Sequence, residues 1–197
     1  MCNPASMIMT KGHRVHWSEK TDSHREIITE FGLRETDARG AINIVPIEII
    51  PPNGDMTKPL NKWQFTIDYA GYTRDLPEWF DAKKAEASTR CALKAWAKAK
   101  LVRSGTRKKI ETGQHYVCGT AVVELLAGDA VIAIMSGSSQ VTRMSGSSQV
   151  KEVKGNATIT VYKVCDPTCL KTKTAVMIDR RESGAVYVYV GGKEYTQ

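Results

Sequence analysis

The sequence predicts an α+β protein. It reads as a small mixed strand and helix unit over residues 1–75, a long basic amphipathic helix with a loop over 76–110, a short β-solenoid of five nonapeptides over 111–163, and a capping hairpin over 164–197. Three observations predict this. Glycine recurs at Gly119, Gly128, Gly137, Gly146 and Gly155, a strict nine-residue step, and a fixed short period marks a solenoid or a regular β-array. Ala85, Thr89, Ala92, Leu93, Trp96 and Ala99 fall at helical spacing. Trp63, Phe65 and Ile67 alternate as a half-buried strand does.

Ala5 to Thr10 and Arg14 to Trp17 read as two strands around a turn at Lys11-Gly12. A short helix follows. Ser23 with Glu26 forms a capping box, Ile27, Ile28 and Phe31 supply the apolar stripe, and Gly32 suits the C-terminal cap. Ile42 to Ile50 is a strand closed by Pro51-Pro52-Asn53-Gly54. Pro46 cannot donate to a ladder, so this strand is expected at an edge or with a break there. Trp63 to Tyr69 makes the next strand.

The second helix is expected from Leu76-Pro77, or from Asp81, to about Lys100. Lys83, Arg90, Lys94 and Lys98 line the face opposite its apolar stripe, and Lys100, Arg103, Arg107, Lys108 and Lys109 extend the charge into a loop around Gly105. Net charge is +7, and residues 82–110 alone carry ten Lys/Arg against one Asp/Glu. Such local concentration says more about partners than the total does.

In the repeats the third position is Ala121, Ala130, Ser139, Ser148 and Ala157, and the fifth is Val123, Ile132, Val141, Val150 and Ile159. The eighth is Leu126, Met135, Met144, Val153 and Tyr162, apolar in every copy, while the seventh includes Arg143 and Glu152. Third, fifth and eighth inward requires the chain to turn a corner after the fifth. A solenoid with two nonapeptides per coil satisfies that, with glycine at the other corner, where φ > 0 is tolerated. An antiparallel β-meander is the alternative. Five repeats make about two and a half coils, roughly 12 Å tall at the usual strand spacing, so both ends need covers.

Hydrophobic content of 42% and charged content of 25% are ordinary for a globular chain. No apolar run is long enough to cross a bilayer, no membrane partner is expected, and Met1-Cys2-Asn3-Pro4 does not read as a signal peptide. Five cysteines without a framework spacing argue for a reducing compartment, hence the cytoplasm. No Walker or dinucleotide glycine pattern is present, and no cofactor is expected.

Two chemistries have candidate residues. Lys83, Arg90, Lys94, Lys98, Arg103, Arg107, Lys108 and Lys109 can neutralise phosphates, which points to nucleic acid or a nucleotide. Cys2, exposed as a new N-terminus if Met1 is removed, can act as a nucleophile activated by its own α-amino group, with His24 assisting. No metal site is assigned: His13 and His16 are three apart on a strand, and Cys165 with Cys169 lacks a second ligand pair. Gln140, Thr142, Gln149, Lys151, Thr158 and Thr160 form a polar solenoid face that can meet a partner.

Cys2-Asn3-Pro4-Ala5-Ser6, Thr21-Asp22-Ser23-His24, Trp79-Phe80-Asp81 and the Gly-Ser-Ser-Gln-Val repeats resemble a group of uncharacterised proteins of tailed bacteriophages and prophages. Members carry arrays of Gly-Ser-Ala-Gln-Val type; here Ser139 and Ser148 stand where that pattern has alanine. The resemblance implies a viral accessory product in the host bacterial cytoplasm, acting by binding, for instance as an inhibitor of a host process or defence component. It assigns no functional residues. Expected partners are a polyanion or a host protein; an N-terminal-cysteine hydrolase or transferase and a virion or assembly component are the alternatives.

Overall fold

The computed structural model describes residues 4–68, 76–161, 169–180 and 186–195. The chain divides into two compact units, Met1–Ala99 and Lys100–Gln197.

The first unit is built on a four-stranded antiparallel sheet. Its strands are β1 (Ser6–Thr10), β2 (Arg14–His16), β3 (Ile44–Ile50) and β4 (Gln64–Ile67), in the order β2-β1-β3-β4. Helices α1 (His24–Glu30) and α2 (Ala82–Lys100) complete it. A strand's period of two sorts its residues onto two faces, and each face has its own cover. Ile8 and Ile44 pack with Ile27 of α1, flanked by Ile28 and Leu33. Met9, Val45 and Ile47 pack with Ala85 of α2, joined by Val15, Phe65, Ile67, Trp79 and Phe80. Each fully buried aliphatic side chain contributes about 1.5–3 kcal/mol, so α1, too short to persist alone, is held by this contact.

Of the two expectations for Pro46 the edge position is not met, because β3 is a central strand, whereas the ladder to β4 does break off there. The physical reason lies in where β4 stops. A residue's N–H and C=O point the same way from a strand, and the Pro46 carbonyl accepts from the Asp68 N–H at 3.0 Å, one residue past the end of β4. The donor that proline lacks is therefore absent where the ladder has already ended. Tyr69, expected to end this strand, lies outside the described residues.

The helix caps follow the sequence with one change. Ser23 Oγ accepts from the Glu26 N–H at 3.4 Å, but the Ser23 N–H donates to Thr21 Oγ1 at 3.0 Å, so Thr21 makes the reciprocal bond expected of Glu26. Gly32 closes α1 with φ +60°. Asp81 caps α2 by accepting from the Lys83 and Lys84 N–H groups. The bond from Lys84 is the main reason its carboxyl lies below the ordinary range.

The second unit is a β-solenoid. Its strands are β5 (Leu101–Val102), β6 (Thr106–Ile110), β7 (Gln114–Val117), β8 (Val122–Leu126), β9 (Val131–Met135), β10 (Gln140–Met144), β11 (Gln149–Val153), β12 (Thr158–Val161), β13 (Val176–Arg180), β14 (Val186–Val190) and β15 (Lys193–Tyr195). One wall reads β15-β14-β13-β12-β10-β8-β6 and the other β11-β9-β7-β5. Val122 stacks on Gln140 and Gln140 on Thr158, all in parallel. Copies two repeats apart are thus neighbours, as two nonapeptides per coil demand, and the antiparallel meander is excluded.

Third, fifth and eighth positions point inward: Ala121, Val123, Leu126, Ala130, Ile132, Met135, Met144, Val153 and Ile159 belong to one buried core. Tyr162, the eighth position of the last copy, lies outside the described residues. The bend after the fifth position is a break in the ladder rather than a separate corner. In β10 the pairing is irregular between Val141 and Met144, leaving Thr142 and Arg143 exposed.

The coil begins before the glycine repeats. Residues 101–110, expected as a basic loop, supply β5 and β6, which pair in parallel with β7 and β8. The pairs β5–β6, β7–β8, β9–β10 and β11–β12 make four coils where two and a half were expected. Beyond them Val153 bridges in parallel to Leu170 and β12 pairs in parallel with β13. The C-terminal hairpin is present as β13 and β14, and its first strand is itself a rung of the solenoid. Residues 181–185, between these two strands, lie outside the described residues.

At the third position Ser139 Oγ donates to the Ser136 carbonyl at 2.8 Å and Ser148 Oγ to the Ser145 carbonyl at 2.7 Å. The same position accepts Ala121, Ala130 and Ala157 with full burial. The double variant Ser139→Ala/Ser148→Ala is therefore expected to lower unfolding free energy by about 1–3 kcal/mol at most in urea titration, each site losing one modest bond.

Candidate functional site

The eight expected phosphate ligands do not form one set. Lys83, Lys94 and Lys98 are exposed on α2. Arg90 is instead used structurally: its Nη2 and Nε meet Glu86 Oε1 at 2.6 and 2.8 Å, and Nη1 donates to the Trp63 carbonyl at 3.3 Å. The other four belong to the second unit. Arg103 is half-buried, while Arg107, Lys108 and Lys109 project from β6, Lys109 pairing with Glu111 at 2.7 Å. β6 is the last strand of its wall, and lysine and arginine on an edge strand deter pairing with another chain. Lys100, expected at the end of the helix with its charge extending towards the loop, does end α2 but is fully buried.

A second cationic site was hidden in the sequence. On the α1 side of the first unit a groove of about 390 Å³ is lined by Thr10, Lys11, Arg14, His16, Arg34 and Asn43, with Gly32, Leu33 and Ile44 completing it. Local geometry assembles it. Gly12 (φ +82°) and His13 (φ +58°) turn β1 back into β2, presenting Lys11 and Arg14, and Gly32 turns the chain after α1 towards Arg34. His16 packs on Phe31 at 5.1 Å between ring centroids. Burial first, then the Arg14 charge, lowers the His16 pKa from its ordinary value, so at neutral pH the positive charge here comes from Lys11, Arg14 and Arg34. Among the described residues that line it, none is acidic.

No family model, curated protein or solved structure matches this chain.

Cys2 lies outside the described residues, as does Cys165. His24, its expected assistant, is the first residue of α1 and is buried. Its Nδ1 lies 3.1 Å from Asp68 Oδ2 and its Nε2 lies 3.1 Å from the Ile47 carbonyl oxygen. Glu48 completes a cluster in which one ligand atom from each of the three residues lies within 4.8 Å of the others. Glu48 and Asp68 drew no attention in the sequence, because a long run of unrelated chain separates them.

His13 and His16 do not meet as a pair. His13 sits in the β1–β2 turn, accepting from the Asp81 N–H at 3.1 Å, and His16 is on β2. The polar solenoid face is also divided. Gln140, Thr142, Thr158 and Thr160 belong to β10 and β12 on one wall, whereas Gln149 and Lys151 belong to β11 on the other. Successive nonapeptides alternate walls, so residues in adjacent repeats cannot share one. Among the described residues no helix is long and apolar enough to cross a membrane.

Proposed function

We propose that this chain is an accessory binding protein for a phosphate-bearing ligand, a nucleotide or the backbone of a nucleic acid, seated in the groove of the Met1–Ala99 unit. The observation that carries the reading is a concave site with two arginines, a lysine, Thr10 and Asn43 and, among the described residues, no carboxylate in its lining. Arginine presents a planar fork that matches phosphate oxygens, and the hydroxyl and amide add orienting bonds. Exposed Lys83, Lys94 and Lys98 add sequence-independent attraction for a longer polyanion. The resemblance of the repeats to phage-encoded arrays supports a viral accessory role inside a bacterium, with a host protein as a further partner.

Binding of ATP, single-stranded DNA and RNA measured across a salt series tests this. The double variant Arg14→Gln/Arg34→Gln is expected to weaken binding by at least about 100-fold, since each charge-assisted bond contributes about 1.5–3 kcal/mol. Both side chains are exposed, so the fold is not at stake. Lys94→Gln/Lys98→Gln is expected to weaken only the polymers and to flatten their salt dependence. No affinity at low salt, or an unchanged affinity in the arginine variant, defeats the proposal.

A further inference from the structure

We infer that His24, Glu48 and Asp68 form a binding site for one divalent first-row transition metal ion. This goes beyond the anion groove and shares none of its residues.

The argument starts from the ring of His24. A backbone carbonyl can only accept, so the 3.1 Å contact between Nε2 and the Ile47 oxygen places a proton on Nε2. In a neutral imidazole Nδ1 is then a lone-pair donor, and it faces Asp68 Oδ2, also a lone-pair donor, at 3.1 Å. Two such atoms at that separation need something positive between them, a proton or a metal ion. A ring held by N–H to a backbone carbonyl, with its other nitrogen offered to a metal, is the usual arrangement of ligating histidines.

The distances suit a metal. Two ligand atoms each about 2.1 Å from one ion, at tetrahedral or octahedral angles, lie roughly 3.0–3.4 Å apart. The His24 to Asp68 separation falls in that interval. Glu48 supplies a second carboxylate, with its ligand atom within 4.8 Å of the other two.

The fold explains how three residues so far apart in sequence converge. Glu48 lies opposite Ser6 of β1 and Thr66 of β4 in the sheet. Asp68 lies two residues beyond Thr66, which by strand alternation returns it to the same face. Ser23 caps α1 and so sets His24 at the first turn above that face. His24 and Glu48 are buried, and the Asp68 side chain keeps 22% of its surface, leaving an approach for an ion and its waters. One imidazole with two carboxylates suits Mn²⁺, Fe²⁺ or Zn²⁺ better than a soft, thiolate-seeking ion.

The test uses the full chain, stripped with a chelator and titrated with Zn²⁺ or Mn²⁺ by calorimetry, with ¹⁵N NMR of the imidazole in the Zn²⁺ arm. The expected result is one equivalent bound, a shift of the His24 Nδ1 resonance with the Nε2 proton retained, and a rise in Tm with metal. Asp68→Asn and Glu48→Gln are each expected to lower affinity by more than tenfold, circular dichroism confirming that they fold. Asp68, being partly exposed, provides the variant least at risk from misfolding. No heat and no resonance shift at millimolar metal overturns the inference. So does metal binding of unchanged affinity in both variants, or a His24 ring that stays protonated on both nitrogens in saturating Zn²⁺. Phosphate ligands play no part in these readouts, so the groove stands or falls separately.

Discussion

Gly128→Ala is expected to lower the stability of the Lys100–Gln197 unit by about 2–4 kcal/mol, read as a drop in the urea midpoint. Two costs combine. Gly128 has φ +59°, and an L-residue held in that region costs roughly 1–2 kcal/mol. The added Cβ would also stand 2.4 Å from the Glu111 carbonyl oxygen and 3.3 Å from its carbon. Those are backbone atoms of the neighbouring coil, so relief requires the stack itself to move. Gly105→Ala separates the two costs. Gly105 has φ +74°, and a methyl group added there would meet nothing within 4 Å, so only the conformational cost of about 1–2 kcal/mol remains. Equal losses in the two variants would show that the corners are not closely stacked.

Trp96→Ala is expected to destabilise the Met1–Ala99 unit by about 3–5 kcal/mol, the range for removing a fully buried indole. Trp96 is completely buried, meets Trp63 edge-on at 6.0 Å between centroids, and donates from Nε1 to Asp22 Oδ1 at 3.1 Å. Trp96→Phe divides the effect. It keeps most of the ring packing but withdraws a donor from a buried carboxylate, which costs about 1–3 kcal/mol. Chemical denaturation followed by far-ultraviolet circular dichroism measures both, since the substitutions alter the fluorescence itself. A loss below about 1 kcal/mol for Trp96→Ala would mean that α2 does not anchor this unit.

Much of the architecture was legible because it rests on short-range chemistry. The nine-residue glycine step and the inward third, fifth and eighth positions favoured stacked parallel coils over hairpins. Ser23 and Asp81 marked helix starts, and Gly32 a helix end, through bonds made within a few residues. Residues 101–117 show where that legibility ends. They occupy one and a half coils without the glycine period, since a strand laid against an existing rung needs only backbone bonds and a few inward apolar residues such as Val102, Ile110 and Val117.

The candidate sites were less legible, for a related reason. Residues 1–60 carry seven Lys/Arg against eight Asp/Glu, a balance that suggested nothing. The fold takes Lys11, Arg14 and Arg34 from that pool into one groove and leaves the acids elsewhere. Residues 82–110, where the charge was concentrated, were instead divided between a helix face, an ion pair at Arg90, a buried Lys100 and an edge strand.

What the sequence determined alone was periodicity: which residues recur at 2, 3.6 or 9, and therefore which elements form and which side of each is apolar. Only the tertiary structure decided which polar residues meet. Pro46 sits in a central strand because β4 ends beside it, and His24 meets Glu48 and Asp68 because three strands and a helix start converge there. Burial acts on every apolar residue alike and so leaves a repeating trace along the chain, whereas a site needs a few groups once, at distances of about 3 Å, and nothing in a linear sequence records that separation.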